Sequence, residues 1–174
     1  MEKILAMAAM LLGLLGSGLA ADLKVGDPAP GLKLKTDSGT DFDLKSRKGQ
    51  WTVLYFYPKA DTPGCTKQAC AFRDNILQIR TLGAEIYGVS ADNVEALKNF
   101  KTKHSLNFVL LADPELDAIN AYGTKMPVAS ISKRWTFVID PDLRIRAIEK
   151  DVDPVLDAER TAVMLKELQA KSKS

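Results

Sequence analysis

Cys65 and Cys70 are the two cysteines of this 174-residue chain, and they stand five positions apart. A thiol becomes a strong nucleophile once ionised, and two at close spacing can pass between dithiol and disulfide. A purely stabilising bridge is poorly served here, because the entropic benefit of a crosslink grows with the loop it closes and this loop is very short. The pair therefore reads as chemical rather than architectural. Pro58, Thr62 and Pro63 lie just upstream of Cys65, and a further candidate, Arg134, lies far downstream.

Apolar periodicity supplies the frame that must position these groups. Residues 51–57, a run of Val, Leu, Tyr and Phe, read as a buried strand, and 58–64 as a loop. From Cys65 onward Ala69, Phe72, Ile76 and Ile79 recur in steps of four and three, which defines one face of a helix ending near Gly83. A strand over 84–90, a helix over 94–104, a strand over 107–112 and a short helix over 115–122 follow. Strands at 136–140 and 144–149 flank Pro141-Asp142 as a hairpin, and 154–169 closes the chain as an amphipathic helix. Alternating strands and helices with a terminal hairpin make an α/β fold, a mixed sheet flanked by helices.

Cys65 thus falls where a buried strand passes through a loop into the first turn of a helix. Asp61 or Thr62 can cap that helix, and Pro63 suits its first position because the missing N–H costs nothing there. An unperturbed thiol has a pKa of about 8.5, and lowering it to about 6 requires roughly 3.4 kcal/mol of preferential stabilisation of the thiolate. A helix N-terminus contributes about 0.3–1 kcal/mol and seldom more than about 2, so a nearby cation is required as well. Arg134 reaches the sulfur if the strand at 136–140 lies beside that at 51–57, and its guanidinium fork suits an anionic centre.

The stretch Tyr57-Pro58-Lys59-Ala60-Asp61-Thr62-Pro63-Gly64-Cys65-Thr66, with Cys70 five places on, resembles peroxiredoxins of the bacterioferritin comigratory protein (PrxQ) type. Arg134-Trp135-Thr136-Phe137-Val138-Ile139-Asp140 resembles that family's arginine and following strand, and Val25-Gly26-Asp27-Pro28-Ala29-Pro30 its opening. The resemblance implies a thioredoxin-like fold and reduction of hydrogen peroxide and organic hydroperoxides. It further implies that Cys65 is the peroxidatic and Cys70 the resolving thiol. Thr62 would hold peroxide and thiolate through its hydroxyl, Pro58 would shield the pocket, and Arg134 would activate sulfur and substrate. Gln68 stands where the family often has an acidic residue, and Trp135 replaces a smaller one beside Arg134. No motif identifies a cofactor, so the electrons are expected from a thioredoxin-like or other thiol donor through a Cys65–Cys70 disulfide.

Helix geometry adds a constraint of its own. Five residues along an α-helix separate two Cα atoms by roughly 8.6 Å, beyond the limit of about 7 Å for a disulfide. Closing the bridge requires the first helical turns to unwind.

At the N-terminus, Lys3 and a nearly unbroken apolar run over residues 4–15 lead to Gly18-Leu19-Ala20, the pattern of a signal peptide cleaved after Ala20. Export to the periplasm or medium is therefore expected, with residues 21–174 as a single domain. The net charge of +2 comes from interleaved signs, which gives no basis for a nucleic-acid partner or a stable membrane association. A monomer is favoured. His104 reads as a surface residue at a helix end, Arg73 with Asp74 and Lys59 with Asp61 as solvated charges or ordinary pairs, and Trp51 and Trp135 as core or rim. Two other readings compete: a thiol–disulfide oxidoreductase, which would need the Cys-x-x-Cys spacing absent here, and a copper-binding protein of the same fold, for which two thiols and one distant histidine are a weak ligand set.

Overall fold

A computed structural model describes residues 22–172. The element order is β1 (Lys33–Thr36), β2 (Asp41–Asp43), β3 (Trp51–Phe56), α1 (Pro63–Thr81), β4 (Ala84–Ser90), α2 (Val94–Lys103), β5 (Val109–Ala112), α3 (Asp117–Ala121), β6 (Trp135–Ile139), β7 (Ile145–Glu149) and α4 (Asp157–Ser172). Among the described residues the strands form one sheet in the order β2-β1-β5-β4-β3-β6-β7. Strands β3, β4 and β5 run parallel, whereas β6 is antiparallel to β3 and β7 to β6.

β3 is buried on both faces, which is why it reads as an unbroken apolar run rather than an alternation. Val53 and Tyr55 point to one layer, with Phe72 and Ile76 of α1, Leu97 and Phe100 of α2, and Ala162 and Leu165 of α4. Leu54 and Phe56 point to the other, with Ile119 of α3, Tyr122 and Phe137. The α1 stripe of Ala69, Phe72, Ile76 and Ile79 is wholly buried and sets the helix across the sheet. Beneath it the Tyr55 ring stacks on Phe72 at 4.8 Å between centroids and on Tyr57 at 5.4 Å. It lies across Gly88 of the neighbouring β4, where a Cβ would come within 2.6 Å of the phenol. A side chain at residue 88 would displace the ring that supports α1.

The mixed sheet and flanking helices agree with the sequence reading; the departures lie at element ends and edges. The β1–β2 hairpin went unread because it is a short edge pair whose Lys and Asp side chains hide the alternation. α3 begins at Asp117 rather than 115, because Leu116 turns left-handed (φ 63°) and the Asp113 carboxylate accepts from the Asp117 and Ile119 N–H groups. β5 begins at Val109, the Asn107 amide being turned to the Arg73 carbonyl. α4 begins at Asp157, after Asp153 accepts from the Val155 N–H.

Candidate active site

Because β6 pairs antiparallel with β3, with Trp135 opposite Phe56, Arg134 emerges at the sheet end where β3 leads through Tyr57 and half-buried Pro58 into the loop before α1. The strand adjacency on which the placement of Arg134 depended is therefore present. Its Nη2 donates to Cys65 Sγ at 3.4 Å. Gly64 makes room for this approach, since a Cβ there would stand 3.1 Å from the same nitrogen.

Pro63 occupies the start of α1 as expected, but the capping differs from the expectation. Thr62 is the N-cap residue in extended conformation (φ −91°, ψ 155°), yet its side chain accepts no cap hydrogen bond. Its hydroxyl instead donates to the Lys59 carbonyl at 2.9 Å. Asp61 does not cap either; it is left-handed (φ 59°) and its carboxylate is held by Lys103 and His104. The first-turn N–H groups around buried Cys65 are thereby unclaimed by any side chain, and the positive end of the helix is directed at the sulfur.

Behind Arg134 lies a buried polar chain that the sequence reading missed. Arg134 Nη1 donates to Gln68 Oε1 at 2.5 Å, and Gln68 Nε2 donates to Asp157 Oδ2 at 2.7 Å. Thr136 Oγ1 donates to the same carboxylate oxygen at 2.8 Å. Gln68 is fully buried and Asp157 is 2% exposed. Burial pushes the Asp157 carboxyl above its usual range, and the hydrogen bonds from Gln68 and Thr136 pull against that. The acidic group sits one residue deeper than position 68, on α4. No local motif announces it, because Gln68, Asp157 and Thr136 come from three separate elements and Arg134 from the segment before β6.

The loop ahead of Cys65 is held from the opposite side. Asp92, just past β4, accepts from the Ala60 N–H at 2.7 Å and from Ser90 Oγ at 2.8 Å. Asp61 pairs with Lys103 Nζ at 2.7 Å and meets His104 Nε2 at 2.9 Å, so the expected Lys59–Asp61 pair is replaced by contacts to the end of α2. The hydrogen bonds from His104 and then Lys103 lower the Asp61 pKa. His104 is more than a surface residue at a helix end: its carbonyl also accepts from Arg73 Nη1 at 2.7 Å. Arg73 pairs with Asp74 at 2.8 Å, as read. Trp51 and Trp135 are half-buried rim residues, the latter with Lys150 Nζ at 4.4 Å and Lys133 Nζ at 4.9 Å from its ring centroid.

Cys70 lies on the same unbroken helix as Cys65, half-buried, and both are free thiols. The site thus joins a nucleophilic sulfur, uncapped helix donors and a second thiol on α1 with a guanidinium brought in from the start of β6. Such a site can attack an electrophilic oxygen, stabilise the oxygen that leaves, and store the oxidation as a disulfide.

Residues 25–148 match the family model described as the AhpC/TSA family. The peroxiredoxin Bcp of Bacillus subtilis is 41% identical over 129 residues, covering 71% of this chain and 82% of that protein. Among solved structures, the peroxidoxin BcpB of Mycobacterium tuberculosis superposes with a TM-score of 0.78 at 30% identity, covering 83% of this chain and 97% of that one. Peroxiredoxin Q of Xanthomonas campestris gives 0.74 at 30% identity, with coverage of 78% and 90%. Fold, active-centre geometry and these similarities converge: the chain belongs to the AhpC/TSA family, as a thiol peroxidase of the bacterioferritin comigratory protein (PrxQ) type.

Proposed function

We propose that this enzyme reduces hydrogen peroxide and organic hydroperoxides through a two-cysteine cycle within one chain. The Cys65 thiolate attacks the nearer peroxide oxygen and the O–O bond breaks. The sulfur becomes a sulfenic acid and the departing oxygen leaves as water or an alcohol after taking a proton. Cys70 then attacks that sulfenic sulfur, forms the Cys65–Cys70 disulfide and expels water. A dithiol of the thioredoxin-like class reduces the bridge. The observation that carries this reading is the 3.4 Å approach of Arg134 Nη2 to Cys65 Sγ at an uncapped helix start. Thr62 orients the peroxide and Pro58 screens the pocket from water. A Xanthomonas campestris relative described for alkyl peroxide reduction supports the inclusion of organic substrates.

One equivalent of hydrogen peroxide is expected to remove both thiols of the reduced protein. Because the helix holds the two Cα atoms about 8.6 Å apart, the oxidised form is expected to lose hydrogen-exchange protection over residues 62–73 while α4 stays protected. Thiol loss with unchanged exchange in an intramolecular disulfide would remove the unwinding step. Thiols that survive peroxide would remove the peroxidase cycle.

We further propose that residues 1–20 are a signal peptide, so that the mature enzyme acts as a monomer outside the cytoplasm with a donor in the same compartment. This segment lies outside the described residues and the proposal rests on its sequence. Among the described residues no helix is long and apolar enough to cross a membrane. Mass spectrometry of the enzyme recovered from the extracytoplasmic fraction is expected to give an N-terminus at Ala21; a chain retaining Met1 would overturn the proposal.

A further inference from the structure

A planar amide turned through half a rotation fills the same space while exchanging its acceptor oxygen for two N–H donors. Gln68 is fully buried, so its hydrogen-bond partners come from the groups packed around it. Arg134 offers only donors, so one orientation of Gln68 supports the guanidinium and the other sets N–H against N–H. The group that selects between them is at the far end of the amide. Asp157 Oδ2 stands 2.7 Å from Gln68 Nε2 and is itself fixed by Thr136 Oγ1 at 2.8 Å, on β6 two residues past Arg134, which immediately precedes that strand. Guanidinium, amide, carboxylate and hydroxyl form one chain of donors and acceptors that ends on Cys65 Sγ.

We propose that Asp157 is a positioning residue of the peroxidase: its carboxylate fixes the amide of Gln68 with Oε1 toward Arg134, and so aims the second guanidinium nitrogen at Cys65. The proposal rests on the peroxidase reading above. It has a sign that separates it from simple electrostatics. A buried negative charge near a thiolate disfavours the thiolate, so deleting Asp157 for its charge alone would help Cys65 ionise. Deleting it as the support of Arg134 does the opposite, because the guanidinium loses its aim.

The test compares wild type, Asp157→Ala, and the exchange Gln68→Glu with Asp157→Asn. In the exchange the introduced carboxylate presents oxygen toward Arg134 in either rotation, and the introduced amide can donate to it. The second-order rate of the reduced protein with hydrogen peroxide is measured by stopped flow. In a Cys70→Ser background, the pH dependence of Cys65 alkylation by iodoacetamide reports thiolate formation without any peroxide. Asp157→Ala is expected to slow the peroxide reaction by about tenfold to a hundredfold and to move the alkylation profile to higher pH. The exchange is expected to recover most of both effects. A wild-type rate in Asp157→Ala, an alkylation profile moved to lower pH, or an exchange no faster than Asp157→Ala would each overturn the proposal. If Asp157→Ala does not fold, the exchange, which keeps size and formal charge, decides by its rate alone. A wild type inert to peroxide with a normal alkylation response in the variants would sink the peroxidase reading and leave the positioning role standing.

Discussion

Cys65→Ser is expected to abolish peroxide consumption, whereas Cys70→Ser is expected to consume one equivalent and stop. The asymmetry follows from where the two sulfurs lie. Cys65 is buried at the helix start beneath the Arg134 guanidinium, and a serine hydroxyl there stays protonated at neutral pH and cannot replace the thiolate. The loss should be at least about 10³-fold, as for removal of a nucleophile elsewhere. Cys70 lies a turn and a half along α1, half-buried and away from the helix start where Arg134 meets Cys65. Without it the first oxidation proceeds at a nearly unchanged rate, and the Cys65 sulfenic acid persists, to be trapped by dimedone and weighed by mass spectrometry. A Cys70→Ser protein that fails in its first turnover, beside an active Cys65→Ser, would reverse the two assignments.

Arg134→Met is expected to lower the second-order rate with hydrogen peroxide by about 10²–10³-fold, the scale on which a preorganised donor to a developing oxyanion contributes. Arg134→Lys should recover little of it. The guanidinium uses Nη1 on Gln68 and Nη2 on Cys65 at once, and a single ammonium on a flexible stem reproduces the charge without the fork. Stopped-flow oxidation of the reduced variants gives the answer. Rates within a few-fold of wild type in both would mean that the helix N-terminus alone does the work.

Much of this centre could be read along the chain, because its parts are local signals. The apolar run at 51–57, Pro63 at the start of a four-three apolar stripe, and Cys65 in the first turn are spaced by the geometry of one strand and one helix. Arg134 was legible only conditionally: its distance from Cys65 depended on β6 lying beside β3, a long-range pairing that no local pattern encodes. The polar chain from Gln68 to Asp157 was not legible at all. Position 68 looked like a lone departure from an acidic residue, while its carboxylate partner waited 89 positions away on α4. The pairing of Asp61 was misread for the same reason, since Lys103 and His104 reach it from the end of α2. Sequence periodicity shows which face is apolar, but buried polar partners are chosen by the packing of distant elements.

The residue at the end of α2 has a consequence for how the cycle resets. His104 grips Asp61 through its ring and Arg73 through its carbonyl, so both margins of the stretch proposed to unwind are moored to the same point. An open stretch with moored margins explores far fewer shapes than a frayed tail, which limits the entropy gained on opening. Once the bridge is reduced, the released segment has little conformational space to search before it refolds onto its own footprint, and the thiol is rearmed by the same scaffold that let it go.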